Sequence, residues 1–502
     1  MKILVWFNNE KFRILLLILL AMLVRMICLL SYENMPGIAI SNVLQSLSVI
    51  DYPGFRHNFN GNCSMLYVYF LAIFLSIWRD PMLLPKIITV VFGILVVLPF
   101  YGCIKVIFSK RIAFLSCLIL AFYPLHVVQS CITTSEAMYY FFIFSALYFF
   151  LDYISKTPKT SSFILSALAF NIAALLRFEC WLFIPIFFFI LLNKNKKSSV
   201  LFLGLLLIAP VAWLALNYFV FNLPFYTFER SAQTSNMEIM EKKIFYDPSL
   251  WSWLSVLWRS SGGLFLIGGL LGMITSIKLS GQKLFLAYFF VIGFTSLSVN
   301  SFIAHQWHHE KYSLILGLLL IPYAVFLFDH ISDRFLQKKW WVYSLLLILL
   351  LINFYHIAQT RSVSLRYMNS VSTEDINDLS RWLRENLSSG RCFFIDWDPF
   401  AVYWQSIILK SGFPKERYQD IGTTYFQSSF QNSAGSFETF IKDQQPEYVV
   451  LNSKGPVQKV MNFDFNKKIL VFGDITLEAV FTKDLGGHGK YQIYHVAIQR
   501  KL

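Results

Sequence analysis

Charge is what this chain has least of: 14% of its 502 residues are Asp, Glu, Lys or Arg, where soluble domains carry roughly a quarter. That scarcity excludes an ordinary soluble enzyme. There is no phosphate-binding P-loop, no G-x-G-x-x-G behind a strand and no G-x-S-x-G elbow, so soluble nucleotide-binding and hydrolase readings lack support. The seven cysteines form no C-x-x-C pair, and most fall inside apolar runs, at Cys28, Cys103, Cys117, Cys131 and Cys180. Neither a disulfide framework nor a zinc site follows from them.

Apolar and aromatic residues are abundant, at 56% and 18%, with a mean hydropathy of +0.55. From Ile14 to about Ile357 the chain is a string of apolar runs with short polar breaks. A membrane-spanning helix needs about 20 such residues, and suitable runs lie near 14–31, 84–104, 112–130, 137–153, 161–177, 180–193, 199–217, 260–277, 284–300, 312–328 and 340–358. The run Met65 to Trp78 is shorter and ends on Arg79 and Asp80. The N-terminus has a basic start and no small-x-small cleavage site after its apolar run, so it reads as a retained signal-anchor. Arg25, near the outer end of that first helix, is expected to snorkel to the interface.

The net charge of +14 does not point to nucleic acid, because the basic residues are spread through the breaks rather than gathered on one domain. One alternate set of breaks holds Lys105, Lys110, Arg111, Lys156, Lys159, Lys194, Lys196, Lys197, Lys278, Lys283, Arg334, Lys338 and Lys339. The other, between Val128 and Tyr312, holds only Arg177, Arg230, Lys242, Lys243, Arg259 and Lys311. Short cytoplasmic loops carry the basic excess, so the first set and the N-terminus are expected in the cytoplasm. This parity requires that Met65 to Trp78 enter without crossing, or that another run be miscounted. Long outer loops are then expected at 32–64 and 218–259, and long loops between spans are usually functional.

After residue 358 the composition becomes that of a soluble α/β domain, 359–502, placed outside by the same parity. STEDINDLSRWLREN reads as a helix with capping-box spacing at Ser372 and Asp375. CFFID, EYVVLN, KKILVFG, LEAVF and YQIYHVAI read as strands, with helical stretches near Ala401 to Leu409 and Phe437 to Lys442. The fold class expected is a multi-pass α-helical membrane protein of about 11–13 spanning helices, residues 1–358, with a C-terminal extracytoplasmic α/β domain.

The few acids and cations on the outer side carry any chemistry. Glu33 lies just beyond the first helix and can act as a general base or hold a metal at the membrane surface; a solvated interfacial acid fits equally. Asp51 shares its loop, where a turn role competes. Glu136 stands at the mouth of a spanning helix, where Thr133, Thr134 or Ser135 can cap and where the helix dipole alone favours an acid. Arg177 and Glu179 interrupt an apolar stretch, and such groups face a cavity or a partner. They read as an ion pair, or Arg177 reads as a phosphate ligand. The segment AHQWHHEKYSL gathers His305, His308, His309, Glu310, Lys311 and Tyr312; its spacing is not that of a zinc motif, and cations beside an apolar wall suit a lipid-linked phosphate better.

These segments resemble the GT-C glycosyltransferases that use polyprenyl-phosphate-linked sugars, in the branch of protein O-mannosyltransferases and aminoarabinose lipid A transferases. The likeness rests on the acidic first loop with Glu33, AFYPLHVVQSCITTSEAMYYFF with Pro124 and Glu136, LLRFECWLFIP with Arg177 and Pro185, and HHEKYSLIL, over roughly residues 10–330. One departure is the single Glu in Tyr32-Glu33-Asn34, where the family usually has Asp. The resemblance implies an inverting transfer of a sugar to a lipid, glycan or protein acceptor at the outer face of a cell membrane, a bacterial inner membrane above all. It gives Glu33, Glu136 and Asp51 catalytic roles and Arg177, His309, Lys311 and Tyr312 the donor phosphate, leaving room for a divalent cation but assigning no metal ligand. The competing classes are a transporter or flippase of a lipid-linked or anionic substrate, for which no internal repeat is found, and a non-catalytic assembly scaffold.

Overall fold

A computed structural model describes residues 9–31, 37–51, 54, 59, 65–155, 158–230, 250–261, 263–277, 283–304 and 310–335, and in the C-terminal part 378, 381–382, 385–386, 392–394, 437–439, 441–442, 445–453, 461–484 and 490–498. In chain order the helices are α1 (Glu10–Ser31), α2 (Gly37–Asp51), α3 (Met65–Ile77), α4 (Leu84–Leu95), α5 (Val97–Ile107), α6 (Lys110–Phe122), α7 (Pro124–Gln129), α8 (Glu136–Ser155) and α9 (Thr160–Leu176). A 3-10 helix, Phe178–Phe183, precedes α10 (Ile184–Leu192), α11 (Lys196–Leu206), α12 (Ile208–Phe221), α13 (Leu250–Ser261), α14 (Gly263–Ile277), α15 (Leu284–Ala304) and α16 (Glu310–Phe335). Two compact units result, one of residues 1–32, 54–79 and 83–362, the other of 33–53, 80–82 and 363–502.

The first unit is helical and belongs to a multi-pass membrane protein. Among the described residues five segments are long and apolar enough to cross a bilayer: Glu10–Leu30, Leu84–Ile107, Glu136–Ser155, Lys196–Phe221 and Lys311–Ser332. Large apolar side chains point outward from them, Leu30 at 78% exposure and Val211 at 59%, a surface that water would not tolerate over such an area but lipid does. The 13 residues of α3 reach only about 20 Å at 1.5 Å per residue, short of a hydrocarbon core of about 30 Å. The apolar run at 340–358 lies outside the described residues, as do Ser372, Asp375 and the stretch 401–409.

Local chemistry sets the helix ends. Ser109 and Asn195 cap α6 and α11 by accepting from the amides of Ile112 (3.2 Å) and Ser198 (3.0 Å). The run 112–130, expected as one helix, is two: the residue before a proline leaves the α region, and Tyr123 is extended ahead of Pro124. That joint decides the fate of Arg25. The side chain is not at the interface but wholly buried. It donates to the carbonyls of Ala21 (3.0 Å) and Ala121 (3.4 Å) and meets His126 Nδ1 at 2.7 Å. Ala121 lies in the last turn of α6, where carbonyls lack helical partners and the dipole is negative, so the guanidinium is held by a helix end instead of water.

Helices α14 and α16 pack closely because Gly272 leaves room for the backbone of its neighbour: a Cβ there would lie 2.0 Å from the carbonyl oxygen of Tyr323. Gly272→Ala is expected to force the two helices apart and cost about 1–3 kcal/mol. A lowered thermal midpoint of the detergent-solubilised protein is the readout; an unchanged midpoint would refute the close approach.

The second unit contains α2 and a five-stranded sheet, β1 (Cys392–Phe394), β2 (Tyr448–Asn452), β3 (Ile469–Phe472), β4 (Ile475–Asp484) and β5 (Lys490–Ile498), in the order β1-β2-β5-β4-β3. All five expected strands are present. Only the β1–β2 pair is parallel, with Cys392 opposite Tyr448; the other pairs are antiparallel. Alternation places Ile475, Leu477, Tyr494 and Val496 in a core with Phe437, Ile441, Val449 and Leu470. Gly473, at φ +56°, and Asp474 make the tight β3–β4 turn.

Candidate active site

The acid and the guanidinium singled out in the sequence meet. Glu136 is the first residue of α8, and the segment 130–135 leading into it is buried throughout. Thr133 adopts φ +56° there, a conformation that a β-branched residue takes only under strain from its surroundings. The Thr134 hydroxyl stands beside the Glu136 carboxylate but donates to Gln129, at 3.3 Å to Oε1 and 3.5 Å to the carbonyl. Ser135 supplies the carbonyl that accepts from Tyr139 at 2.9 Å, so its position, not a threonine's, opens the helix.

Arg177 sits where α9 stops. Its backbone is extended (φ −151°, ψ 121°) between α9 and the 3-10 helix, which turns the side chain away from the face of α9 and toward α8. Nη1 donates to Glu136 Oε1 at 2.6 Å, and Nη2 and Nε donate to Glu179 Oε1 and Oε2 at 2.6 and 3.3 Å. The ion pair with Glu179 expected from the sequence is present, and Glu136 on another helix adds a second. The trio is nearly dry, with side-chain exposures of 10%, 4% and 20% for Arg177, Glu136 and Glu179.

The start of α16 completes the cluster. The Arg177 guanidinium lies 5.2 Å from the ring centre of Tyr312, and Lys311 Nζ lies 5.2 Å from the same ring, a cation–π arrangement on both counts. Tyr140 Oη, on α8, donates to the backbone carbonyl of Lys311 at 3.4 Å. A small cavity of about 30 Å³ opens beside these groups, lined on its polar side by Tyr139, Tyr140, Arg177, Glu179, Lys311 and Tyr312 and on its apolar side by Leu182, Phe183, Leu297, Ile315 and Leu316. One carboxylate, Glu179, and two cations thus line a pocket whose other wall is hydrocarbon, with Glu136 behind them on Arg177. Such a site suits an amphiphile with a charged head.

Of the residues named from the sequence, Glu136, Arg177, Lys311 and Tyr312 come together. Glu33 and His309 lie outside the described residues, as do His305 and His308; Asp51 is the last residue of α2, in the second unit, and its side chain is not described. Among the described residues no three His, Cys, Asp or Glu side chains form a metal-sized group. The sequence reading left Glu179 as no more than an ion-pair partner of Arg177 and did not reach Tyr139 or Tyr140. Glu179 carried a usable signal, a second charge two residues from the first in an apolar run; the tyrosines, in a chain with 25 of them, carried none.

A polytopic helical unit thus carries a paired acid and guanidinium at two helix breaks, and a small α/β unit follows it in the chain. The model of the dolichyl-phosphate-mannose-protein mannosyltransferase family matches residues 63–215, the part of the chain that contains Glu136, Arg177 and Glu179. Among solved structures, ArnT from Cupriavidus metallidurans bound to undecaprenyl phosphate is similar at 11% identity and a TM-score of 0.64, over 96% of this chain and 97% of that one. The archaeal oligosaccharyltransferase AglB from Archaeoglobus fulgidus, in complex with an inhibitory peptide and a dolichol-phosphate, is similar at 13% identity and a TM-score of 0.53, over 88% and 70%. No curated protein matches the chain by sequence. The fold is that of the GT-C superfamily of membrane glycosyltransferases.

Proposed function

We propose that this protein is a membrane glycosyltransferase that moves a sugar from a polyprenyl-phosphate donor to a lipid, glycan or protein acceptor. The observation that carries the reading is the buried cluster of Glu136, Arg177, Glu179 and Lys311 beside an apolar-walled cavity. A guanidinium, an ammonium and a phenol ring there meet the needs of a phosphate whose ester tail stays in lipid. The matched family model and the polyprenyl-phosphate complexes of ArnT and AglB support the same donor class.

The chemistry is a single displacement. An acceptor oxygen or nitrogen attacks the anomeric carbon, the bond from that carbon to the phosphate oxygen breaks, and polyprenyl phosphate leaves with the electron pair. Inversion follows from attack opposite the leaving group. The acceptor proton goes to a carboxylate, for which Glu33 is proposed as the base, with Glu136 and Asp51 orienting the acceptor. Arg177, His309, Lys311 and Tyr312 take the charge that develops on the departing phosphate. The parity of basic breaks supports a cytoplasmic N-terminus and an extracytoplasmic C-terminal domain, and the likeness to ArnT supports a bacterial inner membrane.

The test is sugar transfer in proteoliposomes supplied with polyprenyl-phosphate-linked sugars and a membrane acceptor fraction. Transfer by the wild-type chain is expected, with loss of rate in Glu33→Gln and Glu136→Gln. Wild-type rates in both variants would overturn the assignment.

A further inference from the structure

Arg177 reaches the cavity already engaged, and its two carboxylate partners engage it differently. Glu179 takes the guanidinium with both oxygens, at 2.6 and 3.3 Å, the fork that fixes a guanidinium's plane. It sits two residues along the chain, in the first turn of the 3-10 helix that Arg177 precedes, so the pair is local in the chain. Glu136 belongs to α8, meets one nitrogen with one oxygen at 2.6 Å, and leaves Oε2 buried without a hydrogen bond. A buried oxygen left unsatisfied is costly. The Glu136 contact is thus the less complete and the more easily exchanged.

Charge gives that asymmetry a use. Among the described residues Glu136 and Glu179 balance Arg177 and Lys311, so the cluster is neutral as it stands. A phosphate entering beside it would add net negative charge to a nearly dry site, which is strongly unfavourable at low dielectric. A phosphate that takes a guanidinium nitrogen from a carboxylate gains a charge-assisted hydrogen bond there and moves the carboxylate's charge away from its own. Glu179 is held by the fork; Glu136 is not.

We propose that Glu136 is a placeholder for phosphate. Its carboxylate occupies Arg177 Nη1 until the phosphate of a polyprenyl-phosphate ligand takes that nitrogen, while Glu179 keeps the guanidinium aimed at the cavity. Once displaced, Glu136 has both oxygens available to orient an acceptor, and its return to Nη1 competes against the product phosphate and speeds product departure. Glu179 is then a positioning residue, acting through Arg177, while Glu136 alternates between Arg177 and the acceptor. The step is an exchange of hydrogen bonds in which no covalent bond changes. This inference rests on the polyprenyl-phosphate reading of the site.

The test is direct binding of farnesyl phosphate, with farnesol as the control, to the full chain in nanodiscs. A ligand that must displace a side chain binds more weakly by the fraction of time the site is open. Glu136→Gln is therefore expected to bind farnesyl phosphate about five- to tenfold more tightly than wild type, with farnesol unchanged. Glu136→Asp keeps the charge but is one methylene too short for the 2.6 Å contact, and it is also expected to bind more tightly; a purely electrostatic account expects no change there. Glu179→Gln also removes a negative charge but loses the fork that aims the guanidinium, and with the two opposed it is expected to bind no more tightly than wild type. Equal tightening in Glu136→Gln and Glu179→Gln, or no tightening in Glu136→Asp, overturns the placeholder. Should wild type fail to distinguish farnesyl phosphate from farnesol, the polyprenyl-phosphate reading falls and the placeholder with it. If wild type distinguishes them and transfers sugar, but the Glu136 variants bind no better, the placeholder alone falls.

Discussion

Arg177→Ala is expected to destabilise the protein by about 3–5 kcal/mol, because truncation leaves Glu136 and Glu179 as uncompensated charges in a nearly dry site. The size follows from burial more than from the strength of the pair. A buried ion cluster is weak evidence of net stabilisation, since desolvation of three charged groups opposes their attraction. Breaking one member is another matter. The remaining carboxylates must then be protonated, hydrated or moved, and at 4% exposure Glu136 has little access to water. Arg177→Lys restores the charge but not the fork, so an intermediate loss is expected. The decisive comparison is the triple variant Arg177→Met, Glu136→Gln, Glu179→Gln, which removes all three charges together and is expected to recover most of the stability. Thermal midpoints in one detergent compare all three proteins. An Arg177→Ala protein as stable as wild type would mean that the cluster does not form.

Lys311→Met is expected to slow sugar transfer by about 10²–10³-fold, the usual cost of removing one preorganised charge from developing negative charge, with much less effect on stability. Lys311 differs from Arg177 in two ways that matter here. It opens the long helix α16 and is only partly buried, so the protein tolerates loss of its charge. Its ammonium shares the Tyr312 ring with Arg177, beside the groups proposed to take the departing phosphate. Methionine keeps most of the apolar stem and removes the cation. The readout is kcat against KM for the donor: a fall confined to kcat places the interaction in the transition state, and a rise confined to KM places it in ground-state binding. Wild-type values for both would remove Lys311 from the site.

The sheet was legible because apolar and aromatic residues mark its strands: Ile475 and Leu477 alternate with exposed or half-buried neighbours in β4, while Tyr491 to Tyr494 of β5 are buried in a row. Glu136 and Arg177 were legible for the opposite reason. An ion in an apolar run is costly enough that it needs a purpose, and rarity made each conspicuous. Their pairing was not legible, since it depends on the extended backbone at Arg177 turning the side chain toward a helix that starts 41 residues earlier. The break at Pro124 was written in the sequence, yet hydropathy alone merges α6 and α7, because apolar content averages over a two-residue joint. Arg25 shows the limit of reading charges by position. Snorkelling is the cheap solution for a terminal cation, and it fails here because a carbonyl-rich helix end lies closer than water.

That buried contact also bears on how the chain enters its membrane. The long-range acceptors of Arg25 lie 96 and 101 residues downstream, at Ala121 and His126. An arginine in a membrane helix is costly, and α1 by itself offers Arg25 one acceptor, the carbonyl of Ala21. The guanidinium gains its remaining partners only when α6 and α7 have been made, so the Tyr123–Pro124 joint that receives its charge ties the first helix to a part of the chain synthesised roughly a hundred residues later.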